Sequence, residues 1–208
     1  WRRRIAGDTL DPALATTLVQ RKDSPHRFAA LLERHLAKPL ARVHWPAAAP
    51  DAAAAGADAG AAFSAAHAAA RAIWQAERDA IVQCVRDGSS QLHASSYHAE
   101  AITAAATGWD SLLGADDALA ALATRPAKIE LFGSAKMKPK KNCVAPAHPF
   151  FDAAQHWLDL RDRAETVLAR ARLALLRELL ADGAAAVRRA KRMRRVVAFD
   201  DMLAHLHE

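Results

Sequence analysis

With 208 residues the chain is long enough for one domain, or one and a half, around a real core. Alanine supplies 54 of them, about half of the 52% hydrophobic fraction, and buries little area, so the core must come from helices packed closely along Leu, Ile, Val, Phe and Trp stripes. Lys and Arg outnumber Asp and Glu by 29 to 23, a net charge of +6 that permits a polyanionic partner without identifying one, and no run of eighteen apolar residues lacks a charge, which excludes a membrane span.

Asp11-Pro12 and Ser24-Pro25 each set a capping side chain before a proline suited to the first helical position. They predict short helices over 12–20 and 25–37, the second stopped by Pro39 and buried along Phe28, Leu31, Leu32 and Leu36. From Pro46 to Gly60 there is no large apolar side chain, and this Ala/Pro-rich stretch reads as a linker. Over 61–87 the residues Phe63, Ala66, Ala70, Ile73, Trp74, Ile81, Cys84 and Val85 recur mostly at intervals of three and four. That predicts a helix about 40 Å long, stopped at Gly88.

A polar loop is expected over 89–96, then a helix from Tyr97 to near Gly108, a short one over 117–124, and a brief extended piece over 127–132. Gly133 to Pro146 carries Lys136, Lys138, Lys140 and Lys141 among Gly, Pro and Asn, which predicts an exposed, mobile basic loop. Pro149 opens the longest helical pattern, with Phe151, Ala154, Leu158, Ala164, Leu168, Ala171, Leu175, Leu179, Ala186, Ala190 and Met193 on one stripe. Local rules end a helix at Gly183, but Gly183 falls on that stripe, so the helix is expected to pass through it, with a bend at Leu160–Arg163 as an alternative. The fold class that results is all-α: an elongated bundle with two long antiparallel helices, short helices and an exposed basic loop.

The strongest chemical signal is Arg188, Arg189, Lys191, Arg192, Arg194 and Arg195, six cations in eight residues. Such neighbours repel by a few tenths of a kcal/mol per pair. A phosphate backbone would offset that repulsion; a solvated helix end, where cations complement the dipole, is the other reading. The lysines at 136, 138, 140 and 141 could likewise track phosphates or simply confer solubility, and no aromatic residue lies among them to stack on bases.

Asp200 and Asp201 are adjacent and would point about 100° apart on a helix, which favours a cap over a metal site. The ten histidines include no i, i+4 zinc pair, so no metal is expected. No phosphate-binding Gly-rich loop, dinucleotide fingerprint or nucleophile elbow occurs, so no catalytic residue and no cofactor is expected in this segment. Cys84 and Cys143 lack Cys-x-x-Cys spacing, which argues against a disulfide framework and suits a reducing cytoplasm. Trp1 at the start, with no signal-like segment, suggests a piece of a longer soluble protein.

The basic helix end running into Phe199-Asp200-Asp201-Met202-Leu203 resembles the segment upstream of the acidic ATPase motif in UvrD-like superfamily 1 helicases, most closely the beta (RecB) subunits of exodeoxyribonuclease V. His148-Pro149-Phe150-Phe151-Asp152-Ala153 is similar to the His-Pro-x-Phe segment that opens the preceding helical stretch there. The resemblance implies that residues 1–195 correspond to the helical 1B subdomain, which contacts duplex DNA ahead of the fork, and 196–208 to the return into the first motor domain. It further implies a parent that unwinds and degrades double-stranded DNA ends in recombinational repair, using ATP and Mg, with gamma and alpha subunits as partners. The alternative is a helical scaffold that docks another protein and binds no nucleic acid.

Overall fold

A computed structural model describes residues 10–38, 41, 43–45, 52–114 and 117–196. Among them the chain forms six α-helices, α1 (Pro12–Gln20), α2 (Pro25–Leu36), α3 (Ala52–Gly88), α4 (Ala99–Gly114), α5 (Ala118–Ala123) and α6 (Pro149–Arg194), and no strand. The all-α class is therefore as the periodicity implies. Two compact units divide these residues: a first comprising those up to Gly56 and those from Val167 onward, and a second over Ala57–Thr166.

In the first unit the caps form as their chemistry dictates. Asp11 accepts from the backbone N–H of Leu14 at 2.9 Å and Ser24 from that of Arg27 at 3.2 Å, each ahead of a proline at the first helical position. Just past the Arg21 cap of α1, Lys22 stands at φ 55°, where the N–H of Asp23 reaches back to the Leu18 carbonyl at 2.9 Å and that of Lys22 to Val19 at 2.9 Å. This left-handed cap satisfies carbonyls that the helix leaves open. Arg172 of α6 then fixes the turn by a forked pair of hydrogen bonds to the Asp23 carboxylate, one at 2.8 Å. Gly183 lies inside α6, where an added Cβ would stand 3.0 Å from Leu32, so its missing side chain admits α2 as the stripe predicts.

Three expectations change along these helices. Residues 52–60 are helix rather than linker, the first turns of α3; those of 46–51 lie outside the described residues. Alanine is the strongest helix former, and Gly56 packs beside Leu168 and Ala171 of α6, where an added Cβ would stand at ordinary contact distances of 3.7 and 3.8 Å. α2 has no fully buried residue, and Leu31 is 39% exposed, so its stripe is only partly covered. The buried stripe of α6 ends at Ala184; Ala186, Ala190 and Met193 are exposed.

The second unit is held by aromatic packing. Phe63 of α3 meets Trp157 of α6 at 5.2 Å, Trp74 meets Phe150 at 4.8 Å, and Glu77 meets His148 at 2.9 Å. Rising numbers on α3 pair with falling numbers on α6, so within this unit the two helices run antiparallel as expected. Trp109 of α4 stands edge-on to both Phe150 at 5.3 Å and Trp157 at 5.2 Å, joining the third helix. Each such pair contributes about 0.5–1.5 kcal/mol beyond its buried area.

The His148-Pro149 step is a helix start. His148 Nδ1 accepts from the Phe150 N–H at 3.1 Å while its other ring nitrogen donates to Glu77, the one residue of α3 with non-helical dihedrals (φ −133°, ψ 18°). α4 begins at Ala99 and passes Gly108 to end at Gly114, later than its expected stop. At Gly108 a Cβ would lie 2.7 Å from Ile129 and 2.9 Å from Pro126, so the glycine is there for packing rather than for termination. Ile129–Phe132, expected as extended, is a single 3-10 turn that buries Ile129, Leu131 and Phe132. It is entered through Lys128 at φ 69° and held by Trp109 Nε1 and the Tyr97 hydroxyl, which donate to the carbonyls of Ile129 and Leu131.

Candidate nucleic-acid interface

α6 delivers the basic cluster on its last two turns. Arg188, Arg189, Arg192, Arg194 and Arg195 are exposed, and none forms an ion pair with another described residue; Lys191 is half-buried and engaged. At about 100° per residue the five cations within the helix leave an arc of about 140° uncovered. That arc holds the exposed Met193 and Ala190. The helix ends on Arg195 at φ 53°, with the N–H of Val196 bonded to the Lys191 carbonyl at 3.1 Å. Like charges so close destabilise the helix by a few tenths of a kcal/mol per pair, partly offset where they face the negative end of the dipole. Asp200 and Asp201, with the remaining residues 197–208, lie outside the described residues, as do Arg2, Arg3 and Arg4.

The lysine loop belongs to the second unit. Lys136, Lys138, Lys140 and Lys141 are all exposed, with Met137 turned inward and 4% exposed. The loop is nevertheless anchored at both ends. Ser134 N–H bonds the Phe151 carbonyl at 3.1 Å, Ala135 N–H bonds Gln155 at 3.2 Å, and Gly88 and Pro146 are in contact so close that a Cβ on Gly88 would lie 2.6 Å from the ring. Lys140 differs from its neighbours: its ammonium donates to the Ser90 carbonyl at 2.8 Å and its own N–H to the Gln91 carbonyl at 2.8 Å. That lysine fastens the loop to the turn after α3.

Two ionisable residues, Arg161 and His67, are buried. Arg161 is 4% exposed, donates to the Thr124 carbonyl and lies 5.3 Å from the Trp157 ring. Burial pushes its pKa below the usual guanidinium range, while Glu165 acts in the opposite sense. His67, also buried, accepts at Nδ1 from Trp157 Nε1 at 3.3 Å, which leaves its proton on Nε2 in the neutral ring. The signal for Arg161 was its place on the three-four stripe between Trp157 and Ala164.

Arg78 grips Asp110 through two bonds of 2.7 Å, and Trp74 Nε1 adds a third at 3.0 Å. The Arg78 guanidinium, helped by Trp74, holds the Asp110 carboxyl below its ordinary range against the effect of burial. Along the outer side of α4, Thr103, Thr107 and Ser111 line an open groove of about 790 Å³ facing Arg125 and Pro126. It collects these hydroxyls together with the Glu100 carboxylate. Among the described residues no group of three or more His, Cys, Asp or Glu is placed to hold a metal ion, and no helix is long and apolar enough to cross a membrane.

Comparison of the chain with known protein families, with curated proteins and with solved structures finds no match.

Proposed function

We propose that this chain is a helical, DNA-binding accessory module of an ATP-dependent helicase and exonuclease subunit. Its task in that reading is to hold double-stranded DNA while other parts of the polypeptide unwind and degrade it. The observation that carries the reading is the end of α6, where five exposed arginines without ion pairs to other described residues share two turns. Phosphates are the partner that such an array suits, since arginine presents a planar fork of donors and each neutralised phosphate releases condensed counterions. Lys136, Lys138 and Lys141 form a secondary contact. The parent activity, with ATP, Mg and gamma and alpha subunits, rests on the likeness of residues 148–153, and of the basic helix end running into 199–203, to RecB-type subunits. The module by itself does no chemistry in this reading, so purified protein is expected to hydrolyse no ATP and to cut no DNA.

The test is a titration with a short duplex at several salt concentrations. Each engaged cation contributes about 0.9 to the slope of log affinity against log salt. Replacing Arg188, Arg189 and Arg192 by Ala should therefore flatten the slope by roughly two to three units. An unchanged affinity and slope would make the cluster a solvated helix end. The scaffold reading, which the incompletely covered face of α2 favours, would then replace this one.

A further inference from the structure

α6 carries a second cationic feature far from its end. Where Arg172 and Leu176 adjoin the α1–α2 turn and α2, the first unit opens into a cleft of about 360 Å³. Its charged lining is Arg27, Arg34, Arg172 and Asp23; its apolar lining includes Phe28, Leu31 and Leu176. The Asp23 carboxylate, 7% exposed, is committed to Arg172, so one guanidinium is neutralised and two remain in excess. Arg27 spends Nη1 on the carbonyls of Arg21 at 2.8 Å and Lys22 at 3.4 Å, which leaves Nε and Nη2 as donors. Arg34 is exposed and makes no hydrogen bond or ion pair with any described residue. Ser24 accepts from the Arg27 N–H through its Oγ and keeps its own hydroxyl proton to give.

Two considerations narrow the ligand. An excess of two positive charges matches a terminal phosphate monoester, which carries about −1.5 to −2 at neutral pH, better than the single charge of an internal phosphodiester. An anion alone would leave Leu31, 39% exposed, and the half-buried Phe28 uncovered, and the volume is at the small end of the range for pockets that take a small molecule. We propose that this cleft binds a terminal phosphate joined through a sugar to a flat aromatic ring, the chemistry of a 5′-nucleotide. Arg34 and Arg27 meet the phosphate, and Phe28 with Leu31 meets the base. The source is either a free mononucleotide or the 5′ end of a strand.

Calorimetric titration of the 208-residue chain with adenosine 5′-monophosphate, adenosine and inorganic phosphate tests this. Saturable binding of the monophosphate is expected, at least about tenfold tighter than either fragment. Arg34→Glu should weaken it by at least about tenfold with the helical circular dichroism unchanged, since that side chain holds nothing else in place. No binding of the monophosphate, equal affinity for adenosine or for inorganic phosphate, or indifference to Arg34→Glu would overturn the proposal. A 5′-phosphorylated oligonucleotide that displaces the monophosphate, where its 5′-hydroxyl counterpart does not, identifies a strand end as the source; failure of both assigns the site to the free nucleotide. The Arg188, Arg189 and Arg192 triple variant should keep monophosphate binding, and Arg34→Glu should keep the salt slope on duplex, so this proposal and the duplex reading fail separately.

Discussion

Tyr97 is the only tyrosine of the chain, so its phenol reports a single environment. Burial, with the Glu130 carboxylate adding to it, pushes its pKa up to about 12, while the hydroxyl donates to the Leu131 carbonyl at 2.9 Å. Its value in the unfolded chain is about 10. A folded pKa above the unfolded one means that this contribution to stability is complete below about pH 10 and is lost as pH rises through about 12. Phenolate absorbance of the folded protein should therefore appear about two units later than in urea; coincident titrations would place Tyr97 in water. Asp110 has the opposite sign. Its pKa is held down by Arg78, so its contribution is present above the unfolded value of about 4 and fades as pH falls through the lower folded value. Asp110→Asn should lower the urea midpoint at neutral pH, and the difference from the parent should shrink progressively below about pH 4.

Glycine in a helix has different meanings in α4 alone. At Gly108 an alanine would gain about 1 kcal/mol of helix propensity but press its Cβ into Ile129 and Pro126, and such overpacking costs about 1–3 kcal/mol. Gly108→Ala should therefore destabilise by up to about 2 kcal/mol in urea titration. At Gly114 nothing stands within 4 Å and the φ angle is not positive, so Gly114→Ala should stabilise by about 0.4–1 kcal/mol. Composition cannot tell these two residues apart, because the difference lies in Ile129 and Pro126. The same reason separates what was legible in the sequence from what was not. The starts at Pro12 and Pro25 were readable because cap and proline are neighbours in the chain, and that at Pro149 because a long apolar stripe follows it. The helix through Gly183 was readable because its stripe continues on both sides. The helical turns over 52–60 were not, since a run of Ala, Asp and Gly offers no large apolar stripe to read even though alanine itself favours helix. Nor was the 3-10 turn at Ile129–Phe132, whose carbonyls are claimed by Trp109 and Tyr97.

For the chain as a whole, the net charge of +6 permits a polyanionic partner without choosing one. The arginines at the end of α6 were legible as a cluster because they are contiguous in sequence. The cationic cleft was not, because it joins Arg27 and Arg34 to Arg172 across the chain; nor was the role of Lys140, set by a carbonyl fifty residues earlier. If phosphates are what the helix end meets, duplexes of different base sequence should bind alike at a given salt concentration, since backbone contacts carry no direct base information. A duplex preferred by about tenfold over its sequence-scrambled counterpart would point to contacts in a groove and set aside the phosphate-only account.

The aromatic packing of the second unit has an optical consequence. Trp74, Trp109 and Trp157, three of the five indoles, are 3% exposed or less, and two of them stand edge to face at 5.2 Å. Chromophores held this close and at a fixed angle couple their transitions, so the folded protein should show a structured near-ultraviolet dichroism band that collapses when α3, α4 and α6 separate. The protein thus carries its own unlabelled reporter of this packing, built from side chains that neither the arginine substitutions nor Arg34→Glu would touch.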